Sequence, residues 1–150
     1  MKGVPDTETK VYGSDSVADT EAIGAEFARE LDARYPGRLH FIKLEGPLGA
    51  GKTAFTRGIA SVYSPGSRVK SPSFTIVNEY RMGDVPLFHF DLYRLGEGSD
   101  LSDIGFYEYT ENGHCIVEWS EFLADDVPGA ITVKLTPEGD SSRTIEIIYP

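Results

Sequence analysis

The sequence predicts an α/β fold of about seven strands and three helices, on three observations. A dense apolar strand runs straight into a glycine-rich loop and then an amphipathic helix across residues 39–63. Two pairs of alternating apolar segments, near residues 74–92 and 131–149, read as hairpins. The 150 residues, 40% hydrophobic and 25% charged, are those of one globular domain spanning 1–150 rather than of a disordered chain.

Along the chain, Lys10–Tyr12 reads as a short strand. Ser16–Tyr35 reads as a helix, because Ile23, Phe27 and Leu31 recur at a spacing of four behind the cap candidates Ser14, Asp15 and Ser16. Pro36-Gly37 stops it. Leu39–Leu44 is a strand apolar enough for a central place in a sheet. After the turn Gly46–Gly51, Lys52–Tyr63 is a second helix with Phe55, Ile59 and Val62 on one face, ended by Ser64-Pro65-Gly66. Phe74–Arg81 and Pro86–Leu92 flank the turn Met82-Gly83-Asp84 as a hairpin. Asp100–Glu111 is ambiguous and is read as helical; His114–Trp119 is a short apolar strand. Ile131–Leu135 and Thr144–Tyr149 form a terminal hairpin around Pro137–Ser142.

Charge and cysteine content limit the function. The formal net charge is −10, with 14 Lys and Arg against 24 Asp and Glu. Binding to nucleic acid rests largely on phosphate neutralisation by cations, so tight direct binding to RNA or DNA is not expected. The acidity suits either a basic protein partner or plain solubility. A lone cysteine, Cys115, allows no intrachain disulfide and fits a reducing compartment. The polar start MKGVPDTETK carries no apolar signal region, and no apolar run approaches the ~20 residues of a membrane span. A cytoplasmic location with no membrane attachment is the expectation.

Gly46-Pro47-Leu48-Gly49-Ala50-Gly51-Lys52-Thr53 matches G-x-x-x-x-G-K-[ST] in full, with a strand before it and a helix after it. Glycines let the backbone turn tightly and come close to a phosphate. Backbone N–H groups of Gly49–Thr53, with Ala54 following on the helix, then face the anion, and the helix adds its positive end. Lys52 can reach the β- and γ-phosphates, and the Thr53 hydroxyl can ligate Mg²⁺. The motif makes the chain P-loop NTPase-like, with ATP and Mg²⁺ as the expected cofactors.

Such a site needs an acid at the end of a neighbouring strand. Glu118, closing the run Cys115-Ile116-Val117, and Asp91, after Phe88-His89-Phe90, are the candidates. Each has a plainer reading: Glu118 as an exposed strand end, Asp91 as a structural partner of Arg94 or His89. His40, His89 and His114 lack metal-ligand spacing and read as structural. Cys115 reads as a buried core thiol. Trp119 could pack near a nucleotide or close the core edge. Asp126-Val127-Pro128-Gly129 has the D-x-x-G shape but follows no apolar strand, and N-K-x-D is absent, so guanine specificity is unsupported.

Taken in order, Leu44-Glu45-Gly46 into the phosphate loop, Val69-Lys70-Ser71-Pro72-Ser73-Phe74-Thr75, His89-Phe90-Asp91-Leu92-Tyr93-Arg94 and Val117-Glu118-Trp119 resemble the bacterial TsaE (formerly YjeE) family of P-loop ATPases. The resemblance runs from about Ser14 to Tyr149. That family takes part in making threonylcarbamoyladenosine in tRNAs that read codons starting with A. The resemblance implies a mixed seven-stranded sheet flanked by helices. It also implies weak ATPase activity serving the transferase subunit TsaD and its paralogue TsaB. By position, Lys52 and Thr53 become phosphate and Mg²⁺ ligands, Glu118 the Walker-B-like acid and Asp91 a second carboxylate near the metal. Ser71–Thr75, with Ser73, becomes a switch-like loop by the γ-phosphate. Thr20 and the residues before it become the neighbours of the adenine. Ser73 stands where the family usually has Thr, Pro47 replaces a commonly polar residue, and many relatives continue beyond the last strand into a helix. A stand-alone P-loop kinase and a non-catalytic nucleotide-sensing adaptor are the rival readings. The kinase would want an Arg-rich lid, whereas Arg81, Arg94 and Arg143 are scattered along the sequence.

Overall fold

A computed structural model describes residues 7–70, 77–93, 105–123 and 127–150. Ser71–Thr75, Arg94 and Asp126 lie outside them, as do residues 74–76 of the expected third strand and 100–104 of the expected third helix.

Seven strands form one mixed sheet in the order β1-β7-β6-β2-β5-β4-β3. They are β1 (Glu8–Ser14), β2 (Phe41–Glu45), β3 (Val77–Tyr80), β4 (Leu87–Asp91), β5 (His114–Glu118), β6 (Ile131–Pro137) and β7 (Arg143–Tyr149). Helices α1 (Val17–Arg34), α2 (Lys52–Tyr63) and α3 (Phe106–Asn112) cover its faces. β6, β2, β5 and β4 are parallel neighbours, and antiparallel hairpins flank them on both sides. The central place expected for the strand before the phosphate loop is where β2 lies.

Two boundaries differ from the sequence reading for local reasons. β1 is longer than Lys10–Tyr12, because it pairs along its whole length with β7, and an edge strand of this polarity shows little apolar alternation. β2 begins at Phe41 rather than Leu39. The His40 N–H is taken instead by Nδ1 of His114 at 3.0 Å, and Leu39 is exposed. Of the cap candidates, Ser16 is the one used: its hydroxyl accepts from Asp19 N–H at 3.0 Å.

Strict alternation in the strands sorts side chains to two faces. Ile42, Leu44, Ile116, Val133 and Ile147 face α1 and α2, where they meet Phe27, Leu31, Phe55 and Ile59. Phe41, Phe88, Phe90, Cys115 and Val117 face the other way and meet Phe106 of α3. Cys115 is buried, as expected, and burial pushes its thiol up to about 12.

α1 and α2 touch backbone to backbone. A Cβ built on Gly58 would stand 2.1 Å from the Glu21 carbonyl oxygen, and one on Gly24 2.4 Å from that of Phe55. Their neighbours are backbone atoms, which cannot yield alone. Gly58→Ala should therefore lower the unfolding free energy by roughly 1–3 kcal/mol, although the same change in an exposed helix gains up to ~1 kcal/mol. Urea denaturation of the variant checks the sign, and a gain would mean that the helices are free to separate.

At the opposite end of the sheet from the phosphate loop, His114 stacks on His40 (4.9 Å between ring centroids) and on Tyr63 (4.3 Å). His40 also meets Asp32 at 3.2 Å, and Tyr63 donates to the same carboxylate oxygen. Burial pushes His114 down to about 4 and lowers His40 too. The unfolded chain takes up protons below pH 6.5 that folded His114 refuses. The stability it contributes is thus complete above that pH and is lost as pH falls toward 4. Between pH 6.5 and 5, His114→Gln should flatten the slope of unfolding free energy against pH by about 1.4 kcal/mol per pH unit. Urea titrations at several pH values measure this; an unchanged slope would mean that His114 is protonated in the fold.

Candidate functional site

The site lies where β2 ends at Glu45 and the chain turns over the carboxyl ends of the parallel strands, the usual ligand position in such sheets. Gly46, Gly49 and Gly51 have φ of 156°, 80° and 101°, a region that suits glycine. Gly46 is also needed for space, since its neighbour is backbone, whereas the neighbour of Gly51 is the end of a side chain. A Cβ on Gly46 would meet the Leu135 carbonyl at 2.6 Å, and one on Gly51 would meet Nη1 of Arg143 at 2.4 Å. The loop is closed by Ala50 N–H to the Pro47 carbonyl at 3.1 Å and by Phe55 N–H to Gly51 at 3.0 Å.

α2 starts at Lys52 with Gly51 as N-cap, with no side-chain cap and no acid in its first turn. The N–H groups of that turn therefore have no side-chain acceptor and are left to an anion. Lys52 is buried; its Nζ donates to the Gly46 carbonyl at 2.6 Å and sits 4.1 Å from the centre of the Trp119 ring. Burial lowers its pKa, opposed by Glu118, Glu121 and Asp91.

The two candidate acids end adjacent parallel strands in register, Asp91 beside Glu118. Both are buried. Asp91 is held above the usual carboxylate range mainly by burial, with the charge of Glu118 adding to it, while the Tyr93 N–H, donated at 3.0 Å, acts the other way. Glu118 accepts from Nε2 of His89 at 2.5 Å. His89 therefore bonds Glu118, and it reaches Asp91 through its charge alone.

A cleft of about 580 Å³ opens over these groups. Of the expected site residues, Leu48, Gly49, Gly51, Lys52, Thr53, Ala54, Asp91 and Glu118 line it. Gly46 and Ala50 support the loop from behind, the one accepting from Lys52 and the other from Arg143 Nη1 at 3.2 Å. Thr20 is not among the lining residues. It is fully buried, its hydroxyl turned to Ser14 at 2.8 Å and to the Ser16 carbonyl at 3.2 Å, so it secures the start of α1. Val17, in the first turn of that helix, lines the cleft instead. Ser73 lies outside the described residues.

Three contributors were not assigned from sequence. Trp119 had two open readings, and it lines the cleft. Its left-handed backbone (φ 59°), uncommon for a large residue, carries the ring to Lys52 and Tyr93. Arg143, at the start of β7, reaches the phosphate loop from far along the chain; Ala50 and Ser141 carbonyls take its Nη atoms, while its Nε is buried without a partner. His89 holds Glu118, and the alternation of β4, which puts His89 and Asp91 on one face, was the signal available for it.

These groups suit a nucleotide polyphosphate with a hard cation. An ammonium and an uncapped helix start suit phosphate. A hydroxyl and two carboxylates are oxygen donors of the kind Mg²⁺ takes. Among the described residues no group of three or more His, Cys, Asp or Glu could hold a metal by itself. Also among them, no helix is long and apolar enough to cross a membrane.

The family model described as "Threonylcarbamoyl adenosine biosynthesis protein TsaE" matches residues 14–145. The tRNA threonylcarbamoyladenosine biosynthesis protein TsaE of Bacillus subtilis is 41% identical over 132 residues, covering 85% of this chain and 77% of that protein. Its counterpart in Haemophilus influenzae is 36% identical over 127 residues, covering 84% of this chain and 80% of that one. The crystal structure of Bacillus subtilis YdiB superposes with a TM-score of 0.75 at 29% identity, over 97% of this chain and 88% of that one. On a fold, a phosphate-type loop and a matched span that agree along most of its length, the chain belongs to the TsaE family.

Proposed function

We propose that this protein binds ATP–Mg²⁺ in the cleft over β2 and hydrolyses it slowly, as an accessory ATPase in the threonylcarbamoyladenosine modification of tRNA. The observation that carries the reading is the convergence of Lys52, Thr53, Asp91 and Glu118 on one cleft beneath an uncapped helix start. The names of the relatives supply the pathway. TsaD- and TsaB-like subunits are the partners proposed.

Each residue has a task that follows from where it sits. The first-turn N–H groups of α2 and the Lys52 ammonium hold the β- and γ-phosphates. Trp119 packs on the ammonium from the cleft side and limits water around it. The Thr53 hydroxyl and the carboxylates of Asp91 and Glu118 would hold Mg²⁺, which when bound neutralises charge on the phosphate oxygens. Glu118, fixed by His89, is placed to orient the attacking water. The protein's acidity fits a division of labour in which the partner complex carries the tRNA.

Lys52→Ala should weaken ATP binding at least ~100-fold in calorimetry, about 2.7 kcal/mol. Glu118→Ala should keep ATP affinity within about fivefold and reduce phosphate release ~100-fold or more. Undiminished turnover in Glu118→Ala would remove that residue from the mechanism. Calorimetry against a purified TsaD–TsaB pair should show association that is tighter with ATP–Mg²⁺ than with ADP. A protein that binds ATP alone yet associates with that pair under neither nucleotide would point to a kinase acceptor instead.

A further inference from the structure

We infer that His89 is a positioning residue for Glu118, and that Tyr80 in turn fixes the His89 ring. This rests on the reading of Glu118 as the acid that serves hydrolysis.

The geometry begins with the register of two parallel strands. Asp91 lies beside Glu118 and His89 beside Ile116, all with odd–even parity that sends His89, Asp91 and Glu118 to the face of α2. His89 is thus the diagonal neighbour of Glu118. Its Nε2 reaches Oε2 of Glu118 at 2.5 Å, and the ring is fully buried. A carboxylate accepts, so Nε2 carries the hydrogen and the other ring nitrogen, Nδ1, faces away from the acid. Nδ1 lies 3.4 Å from the Tyr80 hydroxyl on β3. That hydroxyl is itself held by main chain: it accepts Lys70 N–H at 3.3 Å, and its one hydrogen is shared between Nδ1 and the Lys70 carbonyl at 3.2 Å. The row Lys70, Tyr80, His89, Glu118 therefore runs from main chain to a carboxylate that lines the cleft.

The row bears on chemistry because a glutamate has three side-chain torsions. Freezing them costs conformational entropy, which catalysis would otherwise meet at every turnover. A hydrogen bond to one oxygen from a fully buried ring sets the carboxylate in one pose before substrate arrives. Partners of this kind, one step removed from the reacting atoms, typically change activity 10–100-fold when removed. A purely structural role would be filled by any residue of the same volume, since His89 sits among Leu87, Ile116 and Tyr80.

The test uses the full chain, with calorimetry of ATP–Mg²⁺ and single-turnover phosphate release. His89→Leu keeps volume and removes the donor; His89→Gln keeps a donor of similar reach; Tyr80→Phe removes only the hydroxyl; Glu118→Gln is the reference. His89→Leu should slow release ~10–100-fold with ATP affinity within about threefold. His89→Gln should recover most of that loss, and Tyr80→Phe should give a smaller slowing of about threefold. Should Glu118→Gln release phosphate at the native rate, the underlying assignment of Glu118 is wrong. With Glu118→Gln inactive, a native rate in folded His89→Leu overturns the positioning role alone. Equal losses in folded His89→Leu and His89→Gln, or a loss confined to ATP affinity, overturn it as well. If His89→Leu fails to fold, His89→Gln and Tyr80→Phe decide: native rates in both overturn the proposal, and the graded slowing with intact affinity supports it.

Discussion

The parallel pairing of β4 with β5 and of β5 with β2 is the constraint on which the site rests. Leu44 stands beside Glu118, and Glu118 beside Asp91, so three strands end at one level. Two residues past that level, at Gly46, the chain of β2 becomes the glycine loop. A slip of one residue in either pairing would send Glu118 or Asp91 to the α3 face and bring an apolar neighbour, Val117 or Phe90, into the cleft. The register is held by apolar pairs such as Phe41 with Cys115 and Phe88 with Cys115 on the α3 face, and Ile42 with Ile116 on the other. The core that supports the fold is thereby also what brings the acids level with the loop.

The second constraint is the depth of α2. Its N-terminus can open onto the cleft only if its axis lies close to the sheet, with α1 pressed alongside. Gly24 and Gly58 permit that approach, because no side chain intervenes between the two backbones. Tyr63 then anchors the far end of α2, its hydroxyl donating to the Ala28 carbonyl at 3.0 Å. Arg143 does the corresponding work at the loop, where its Nη1 bonds the Ala50 carbonyl and the guanidinium fills the space beside Gly51. The loop is thus braced from behind by β7 and from below by α1 through α2.

What could be read from sequence follows from distance along the chain. Lys52 and Thr53 were legible because the strand, the loop and the helix that place them are contiguous. Asp91 and Glu118 were legible because an acid closing an apolar run must emerge at a strand end. The burial of Thr20 was not legible, since it depends on a bond to Ser14 that the helical pattern does not encode. The His89–Glu118 bond joins residues 29 apart through a diagonal across two strands. Histidine and glutamate at such a separation carry no local mark of pairing. Arg143 is further off still, 93 residues from the carbonyl it holds, and its strand reads as an ordinary edge of a hairpin. Trp119 was undecided because a left-handed turn after β5, rather than any feature of composition, aims its ring at Lys52.

The electrostatics of the cleft give the arrangement its sense. Two buried carboxylates face a single buried ammonium, and that ammonium is bonded to a carbonyl rather than paired with either acid. Burial disfavours charge on Lys52 and on Asp91 alike, and the repulsion of Glu118 adds to the burden on Asp91. A site built only for stability would pair these groups or replace them by apolar residues, since unpaired buried charge is costly. Here Glu118 is bonded to His89, but neither acid is paired with Lys52: phosphate oxygens would satisfy the ammonium and the open helix start, and a divalent cation would offset the carboxylate charge. ATP–Mg²⁺ carries both in one ligand. Its binding would therefore relieve two opposite deficits at once, and loss of the γ-phosphate on hydrolysis would return part of each.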